Sequence, residues 1–336
     1  MDKMNWTYGL NIRNANGDVD PSTLGYSYAT QTTTEIRKEI IKQKYFTVPI
    51  GDYIPVINGT GAWKEAIKTN QLFDVAGPFE AGVIGTASAP SELAEVNVGL
   101  NSINQKIITW AKGYTYSIPE VEKALAANDW DVVTSKMDAL KRQWDLGIQK
   151  TGFLGLLTDL TGVPGLYTNP NVNINTTAIT ANINTFTPTQ FGTLVAAIMG
   201  LYFTNTNSTE LPDTLLVPQD DFLGLVTPLS TTYGTASMLT FLKQAFSEAT
   251  GNANFRIMGM PYGSIARNAG FVSTSGKQRY VLYRNDPSVL RMDIPVPMNL
   301  FAPGTANNFQ FEGVGAGQFS GVVIFRPAEV MYFDHT

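Results

Sequence analysis

The sequence contains no cysteine and only one histidine, His335. Without cysteine there can be no disulfide framework, thiol nucleophile, zinc ribbon or iron–sulfur site, because each needs a sulfur ligand or a thiolate. A single histidine excludes every multi-histidine metal site, and we expect an imidazole this close to the end of the sequence to fray rather than to serve a Ser-His-Asp triad. The sequence therefore predicts no metal, no cofactor and no enzyme activity.

Charged residues are also scarce. They make up 15% of the chain, whereas ordinary soluble domains contain roughly 25%. Depletion of Lys, Glu and Asp is typical of the buried centres of protein interfaces. The composition therefore predicts a homo-oligomer whose surface is largely covered by copies of itself. The net charge of -5 argues against tight nucleic-acid binding, which depends on clustered Lys and Arg.

Long apolar runs are missing too. The longest covers residues 194–203, about half the length that a bilayer crossing needs. The first ten residues include Asp2, Lys3 and Asn5 and contain no apolar core of a secretory signal. We therefore expect a soluble protein made in a cytoplasm, with no membrane partner.

The first 118 residues change pattern twice. Residues 1–30 contain turn residues and no sustained period, and residues 32–44 predict a short amphipathic helix with Ile36 and Ile40 on its apolar edge. Residues 46–118 have extended, strand-like patterns, interrupted by a Gly-rich apolar stretch. That stretch would be a liability if it were exposed on a monomer. Its apolar residues include Phe73, Phe79, Val83 and Ile84.

A long amphipathic helix is predicted over residues 129–150, after a helix start at Ser117 that has a capping-box spacing. The Asn- and Thr-rich residues 168–189 predict a domain boundary. An αβ region follows, with helices capped by Thr187 and Thr235, a buried strand over residues 214–218 and closing strands. The long helix over residues 129–150 carries an apolar stripe formed by Trp130, Val133, Met137, Leu140, Trp144 and Ile148.

Some patterns could carry chemistry, but each has a simpler interpretation. Gly313, Gly315 and Gly317 superficially match a dinucleotide-binding loop, yet a strand pattern follows them, so we predict a flexible hairpin connection. The acidic pairs Asp220–Asp221 and Asp129–Asp131 stand at predicted helix starts, where acids complement the helix dipole. A glycosidase is not strictly excluded, because its carboxylates can come from distant segments.

Two further sets of residues could form binding surfaces. A basic run could contact phosphate, but such runs are more often a solvated helix face. The tryptophans could stack on bases or sugars, but their periodicity favours core or subunit-contact positions. The basic run is Arg37, Lys38, Lys42 and Lys44, and the tryptophans are Trp63, Trp110, Trp130 and Trp144.

The order of these parts resembles the major capsid proteins of tailed bacteriophages with the Hong Kong 97-type fold. The resemblance covers most of the chain and rests on order and local phrases rather than on catalytic residues. The phrases are FTVPIGDYIPV at residues 46–56, GTGAW at residues 59–63, WAKGYTYSIPE at residues 110–120 and WDLGIQ at residues 144–149.

The resemblance implies an α+β fold and a structural function. The protein would form hexamers and pentamers in an icosahedral shell that encloses double-stranded DNA without sequence-specific binding, with portal, scaffold or decoration proteins as further possible partners. Some members cross-link a loop lysine to an asparagine, but no motif here identifies a partner for Lys64 or Lys68. The implied parts are an N-terminal arm (1–45), an extended loop with the first peripheral strands (46–116), a peripheral domain with a spine helix over residues 117–153 (117–186), an axial domain (187–290) and return strands (291–336).

Two alternatives stay open from the sequence. One is an encapsulin-like bacterial compartment with the same fold, and the other is a carbohydrate-binding or adhesive β-rich protein. For the capsid interpretation we expect subunit contacts at apolar residues of the arm and of the loop. The candidates are Ile36, Ile40, Trp63, Phe73, Phe79, Val83 and Ile84.

Overall fold

The computed structural model describes residues 47–75, 95–128, 131–156, 158–159, 161–227, 236–264, 278–307 and 309–335. Within this part of the chain, residues 119–132 belong to one compact unit, and residues 47–118 and 133–335 belong to a second. The predicted N-terminal arm lies outside the described residues. The same holds for the candidate contacts Ile36, Ile40, Phe79, Val83 and Ile84, and for Trp130 and Thr235.

The described residues combine helices and sheets, as the α+β prediction expects. The helices are α1 Ile118–Asn128, α2 Val132–Leu154, α3 Pro188–Thr206, α4 Gln219–Gly224 and α5 Met238–Thr250, and short 3-10 helices cover Ile50–Asp52, Ile183–Thr185, Pro261–Gly263 and Pro327–Glu329. The strands are β1 Val56–Asn58, β2 Ala66–Val75, β3 Asn97–Ser117, β4 Asn173–Asn175, β5 Thr214–Pro218, β6 Arg256–Met260, β7 Gln278–Tyr283, β8 Leu290–Ile294, β9 Val296–Leu300, β10 Gly304–Asn307, β11 Gln310–Ser320, β12 Val322–Ile324 and β13 Val330–His335.

One five-stranded sheet, in the order β4-β13-β7-β5-β6, lies between two apolar clusters. Alternate residues of a strand point to opposite faces, and here both faces are covered. Leu215 and Val217 of β5 pack with α3 and α5, whereas Leu216 packs into the cluster that contains α2. Coverage on both sides explains why β5, β7 and β13 are almost continuously apolar or buried.

The helices begin and end largely where the local sequence predicts. At the start of α3, the backbone N–H and the hydroxyl of Thr187 both donate to Gln190 Oε1, at 2.8 and 2.9 Å. Gly251 ends α5 with a positive φ of 66°, as predicted. The N-cap of α5 is Ser237, whose Oγ accepts from the Thr240 N–H at 3.2 Å, rather than Thr235.

The apolar stripe of the long helix is confirmed on α2, where Leu140, Trp144 and Ile148 are buried. The helix begins at Val132 and continues to Leu154, four residues beyond the predicted end. The spine helix that the resemblance implies over residues 117–153 is therefore represented by two helices, α1 and α2, because Asp131 between them is not helical.

The glycine-rich residues 313–317 do not form a hairpin connection, so that prediction was wrong. They lie inside β11, which pairs antiparallel with β3 from Gln310 to Ser320. A Cβ on Gly317 would stand 2.5 Å from Trp144 Cη2, and one on Gly315 would stand 2.8 Å from Leu140 Cδ2. Glycine is needed here because the large side chains of α2 lie directly on the strand.

His335 is not frayed, which also corrects the sequence-based expectation. It is the last residue of β13, is buried, and pairs with Gln278 of β7. Its Nε2 lies 2.5 Å from Asn182 Oδ1, and its ring stacks on that of Tyr280. Strand pairing and ring stacking thus fix a residue whose position in the sequence suggests a loose end.

Candidate subunit-contact surfaces

The most prominent surface feature is a long β-ribbon that we call the hairpin arm, made of residues 66–75 of β2 and 97–106 of β3. β3 contains 21 residues, which at about 3.3 Å per residue span about 70 Å. Its second half, residues 107–117, pairs with β11, but its first half pairs only with β2 among the described strands. The hairpin arm is therefore a two-stranded extension of a larger sheet.

One face of the hairpin arm carries an uncovered apolar pair among polar residues. Leu72 is directly opposite Leu100 in the register, and the two side chains are 70% and 66% exposed. On the same face, exposed Val98 lies opposite Asp74. Cross-strand apolar pairs normally stabilise a sheet by packing under a second layer, and the described residues supply no such layer here.

The opposite face is anchored to the rest of its unit near its base. Gln71 Nε2 donates to the Phe325 carbonyl at 2.7 Å, and Gln105 Nε2 donates to Ser320 Oγ at 2.6 Å. Further along, the ring of Phe73 covers Gly99, where an added Cβ would stand 2.3 Å from Phe73 Cζ. The ion pair between Lys106 Nζ and Asp159 Oδ2, at 2.5 Å, fixes the base of the hairpin arm as well.

The two described candidate contacts both lie at this ribbon. Phe73 is half exposed, but it also shields Gly99 within the chain, a role that the sequence did not reveal. Trp63, three residues before β2, is 61% exposed. Their contacts with other subunits remain predictions. The sequence analysis missed Leu72, Val98 and Leu100, because an alternating strand is usually assumed to bury its apolar face.

A second exposed apolar group lies at the other end of β3 and was also missed. It is formed around the turn between β9 and β10 by Leu300 and Phe301, and by Phe309, which is 69% exposed. The Ile118 N–H donates to the Phe309 carbonyl at 3.1 Å, which fixes the connection between β10 and β11 to the end of β3. The signal available in the sequence was two phenylalanines beside Pro-Gly and Asn-Asn turn residues.

The tryptophans other than Trp63 that the structure describes are core residues, as the simpler interpretation predicts. The ring centroids of Trp110 and Trp144 are 5.4 Å apart, and Trp144 meets Phe319 edge-on at 5.9 Å. Aromatic pairs at such distances contribute packing energy beyond their buried area. Trp144 is buried and Trp110 is partly buried against the core, so these indoles hold α2 against β3 and β11.

The acidic pair Asp220–Asp221 lies in the first turn of α4, as predicted. Asp221 is nonetheless buried, and its Oδ2 accepts a hydrogen bond from the Tyr280 hydroxyl. Burial raises the pKa of the Asp221 carboxyl. Because this carboxyl is closed to solvent and bound to Tyr280 of β7, its role is to hold α4 against the sheet.

The buried ion pair of the sheet is also structural. Arg279 Nε and Nη2 donate to the two carboxylate oxygens of Asp334 at 2.6 and 2.7 Å. Arg279 Nη1 donates to the Tyr167 carbonyl at 2.5 Å, and the guanidinium lies over the Tyr332 ring. Among the described residues no cluster of three metal-binding side chains occurs, and no described helix has the length and hydropathy of a membrane span.

Comparison with known proteins gives the identity of the fold. A family model described as Major capsid protein matches residues 80–335. The chain belongs to the major capsid protein family. No curated protein sequence matches it.

Solved phage structures share the fold of this capsid protein. The capsid of Myoviridae phage XM1 is 15% identical with a TM-score of 0.75, and the match covers 91% of this chain and 98% of that one. A chain of Mycobacterium phage Ogopogo is 13% identical with a TM-score of 0.56, covering 92% and 99%. A chain of Mycobacterium phage Adephagia is 10% identical with a TM-score of 0.56, covering 95% and 98%. At these identities the likeness concerns the fold alone.

Family membership confirms the central function prediction: this is a major capsid protein and therefore a component of the virion. Capsid proteins assemble with neighbouring subunits into shells, which agrees with the homo-oligomer expected from the scarcity of charge. The family is structural rather than enzymatic. The carbohydrate-binding and compartment-shell alternatives are not supported better than this assignment.

Proposed function

We propose that the capsid protein is a Hong Kong 97-type shell subunit whose hairpin arm lies across a neighbouring copy. In this arrangement residues 1–45 form the N-terminal arm, and residues 46–116 form the extended loop and the first peripheral strands. Residues 117–186 form the peripheral domain, residues 187–290 form the axial domain, and residues 291–336 form the return strands. Hexamers and pentamers of the subunit build an icosahedral head around double-stranded DNA. Assembly takes place in the host cytoplasm.

The observation that carries this proposal is the uncovered Leu72–Leu100 pair of the hairpin arm. A two-stranded ribbon is at best marginally stable in water and needs a further strand or a packed layer. Leu72 and Leu100 offer a cross-strand apolar pair to such a layer, and both are largely exposed in the single chain. A neighbouring subunit of a shell supplies the missing layer at each copy, because all subunits carry the same arm.

The charge of the chain fits a container better than a DNA-binding protein. The net charge is -5, so the protein does not neutralise phosphates in the way that tight binders do. Packaged DNA is then held by enclosure. Low charge also limits repulsion between the many copies that must meet in a shell.

The test is assembly of the purified chain, followed by sedimentation velocity and negative-stain microscopy. We expect closed shells or capsomer rings from the parent protein and loss of both from Leu72→Asp and Leu100→Asp, since each places a charge in the contact. Leu100→Met should assemble, and Asn254→Asp, which adds the same charge at an exposed polar site outside the arm, should assemble as well.

Two outcomes would contradict the proposal. One is a parent chain that stays monomeric across salt and protein concentration. The other is normal shell formation by both aspartate variants of the arm. Particles that enclose a cargo protein and no DNA would instead favour the compartment-shell alternative.

A further inference from the structure

The turn that precedes the hairpin arm contains a strained tryptophan. The Lys64 N–H donates to the Gly61 carbonyl at 3.1 Å, which closes a four-residue turn with Trp63 in its third position. Trp63 has a φ of 59°, in the left-handed region. Among turns of this kind that position favours glycine, and a bulky side chain there is an outlier.

The strain is imposed from both sides of the turn. Before it, the Gly59 N–H donates to the Ile294 carbonyl at 3.1 Å. After it, the Ile107 N–H donates to the Glu65 carbonyl at 2.9 Å. The ends of the turn are therefore fixed to β8 and β3, and the backbone between them has little freedom to relax.

A buried glutamine holds the strained residue itself. The Trp63 N–H donates to Gln318 Oε1 at 2.6 Å, and Gln318 Nε2 donates to Thr109 Oγ1 at 2.9 Å. Gln318 is 3% exposed and lies in β11, so both ends of its amide are used. The backbone of Trp63 is thus clamped to the central sheet, while its indole remains largely in solvent.

This combination is costly unless the indole has a use. Glycine occupies the other two positive-φ positions of the same segment, Gly59 and Gly61, so a third glycine would complete the turn without strain. Strained residues persist where the surrounding structure over-determines them, and they concentrate at functional sites. Tryptophan is also the residue type most enriched at the energetic centres of protein interfaces.

We propose that Trp63 is a subunit-contact anchor, displayed by its strained turn to bind a second copy of this chain. The inference rests on the proposed function, because it requires self-assembly. The choice of partner follows from continuity: Trp63 leads directly into the hairpin arm, the surface proposed to meet a neighbour. Duplex DNA is a poor alternative, since its base faces are stacked and closed to an indole.

The experiment compares Trp63→Gly, Trp63→Asn and Trp63→Phe with the parent protein. Gly and Asn tolerate the left-handed backbone and remove the indole, whereas Phe keeps an aromatic ring and the strain. Thermal melting is measured on unassembled subunits, and assembly is measured as the protein concentration at which shells form. Leu100→Asp is measured in parallel, because its assembly reports whether the hairpin arm contacts a neighbouring copy.

We expect stability and assembly to change in opposite directions. The Gly and Asn variants should melt at the parent temperature or up to about 3 °C above it, because strain is relieved. Both should need at least about tenfold more protein to form shells, the change that corresponds to losing one modest anchor. The Phe variant should assemble within about threefold of the parent concentration.

Two results would overturn the inference. Normal assembly of Trp63→Gly would make the indole dispensable, and a melting temperature well below that of the parent would mean that the indole packs within its own chain. If Leu100→Asp assembles normally while Trp63→Gly does not, the hairpin-arm proposal fails and the Trp63 contact stands.

Discussion

The hairpin arm and the sheet β4-β13-β7-β5-β6 both carry leucines on their strands, but they differ in where the covering layer of those leucines comes from. In the sheet, Leu215 and Leu216 point to opposite faces, and each enters an apolar cluster formed by the same chain. In the hairpin arm, Leu72 and Leu100 meet across the two strands and remain exposed. The comparison indicates that stability resides in the sheet and its helices, whereas the arm serves assembly.

The same division appears in the polar groups. The sheet contains the buried pair Arg279–Asp334 with several hydrogen bonds satisfied inside the chain. The hairpin arm carries Asn, Gln, Ser and Thr side chains, and its charged residues are Lys68, Asp74 and Lys106. Substitutions in the two regions should therefore separate folding from assembly.

The largest effect is expected from breaking the buried ion pair of the sheet. Arg279→Met leaves Asp334 charged and unpaired in the interior, which should lower the free energy of unfolding by about 3–5 kcal/mol. Denaturant unfolding of the unassembled subunit measures it. The double variant Arg279→Met with Asp334→Leu should recover most of the loss, because no charge is left unpaired. A single variant as stable as the parent would contradict the account.

A smaller loss is expected where α2 packs on β11. Gly317→Ala places a methyl group 2.5 Å from Trp144 Cη2, and the resulting overpacking should cost about 1–3 kcal/mol. The matched control is Gly200→Ala in α3, where an added Cβ meets nothing within 4 Å. That variant should gain about 0.5–1 kcal/mol from the better helix propensity. Equal stability changes in the two variants, measured by denaturant unfolding, would show that the glycines of β11 are not packing sites.

Asp221 tests how much the burial of a charged carboxylate in α4 lowers the stability of the folded chain. Because burial raises its pKa in the folded chain, the parent loses stability as pH rises from the unfolded pKa, about 3.9, through the folded one. Asp221→Asn keeps an oxygen acceptor for Tyr280 and lacks that loss. The variant should therefore be more stable than the parent at pH 7.

The advantage of Asp221→Asn should shrink as the pH falls, because the parent carboxyl then gains its proton and its charge is lost. Melting temperatures measured from pH 4 to pH 8 give the profile. The exposed helix residue Glu248, changed to Gln, serves as the control and should shift stability by less than about 0.5 kcal/mol throughout. An advantage independent of pH would contradict the electrostatic explanation.

The smallest effect on stability is expected in the hairpin arm. Leu100→Ala should change the free energy of unfolding of the unassembled subunit by less than about 0.5 kcal/mol, since the side chain is mostly exposed. Its matched control, Leu216→Ala in β5, should cost about 2–5 kcal/mol. Comparable losses in the two variants would mean that the arm belongs to the core of its own subunit.

Much of the five-stranded sheet and of the helices that cover it could be predicted from the sequence, because the patterns that indicate these elements are local. Three features show this: the apolar stripe on α2, the capping pair at Thr187 and the buried run of β5. In each of them the residues that form the pattern are close together in the sequence. β11 could not be predicted in the same way. Its glycines resemble a loop unless one knows that Trp144 and Leu140, more than 170 residues earlier in the numbering, lie against them.

The candidate contact surface was predicted only in part. The exposed Trp63 and the half-exposed Phe73 were singled out by residue type. The pairing of Leu72 with Leu100 depends on strand register, which the alternation alone does not fix. The strain at Trp63 was equally out of reach, because a backbone dihedral angle imposed by Gln318 of a distant strand leaves no local signal.

The most direct test of the account is amide hydrogen exchange of the hairpin arm in unassembled and assembled protein. The account predicts fast exchange at residues 66–75 and 97–106 in the unassembled subunit and strong protection in shells, with β5, β7 and β13 protected in both states. Strong protection of the arm already in the unassembled subunit would contradict the claim that a neighbouring copy provides its covering layer.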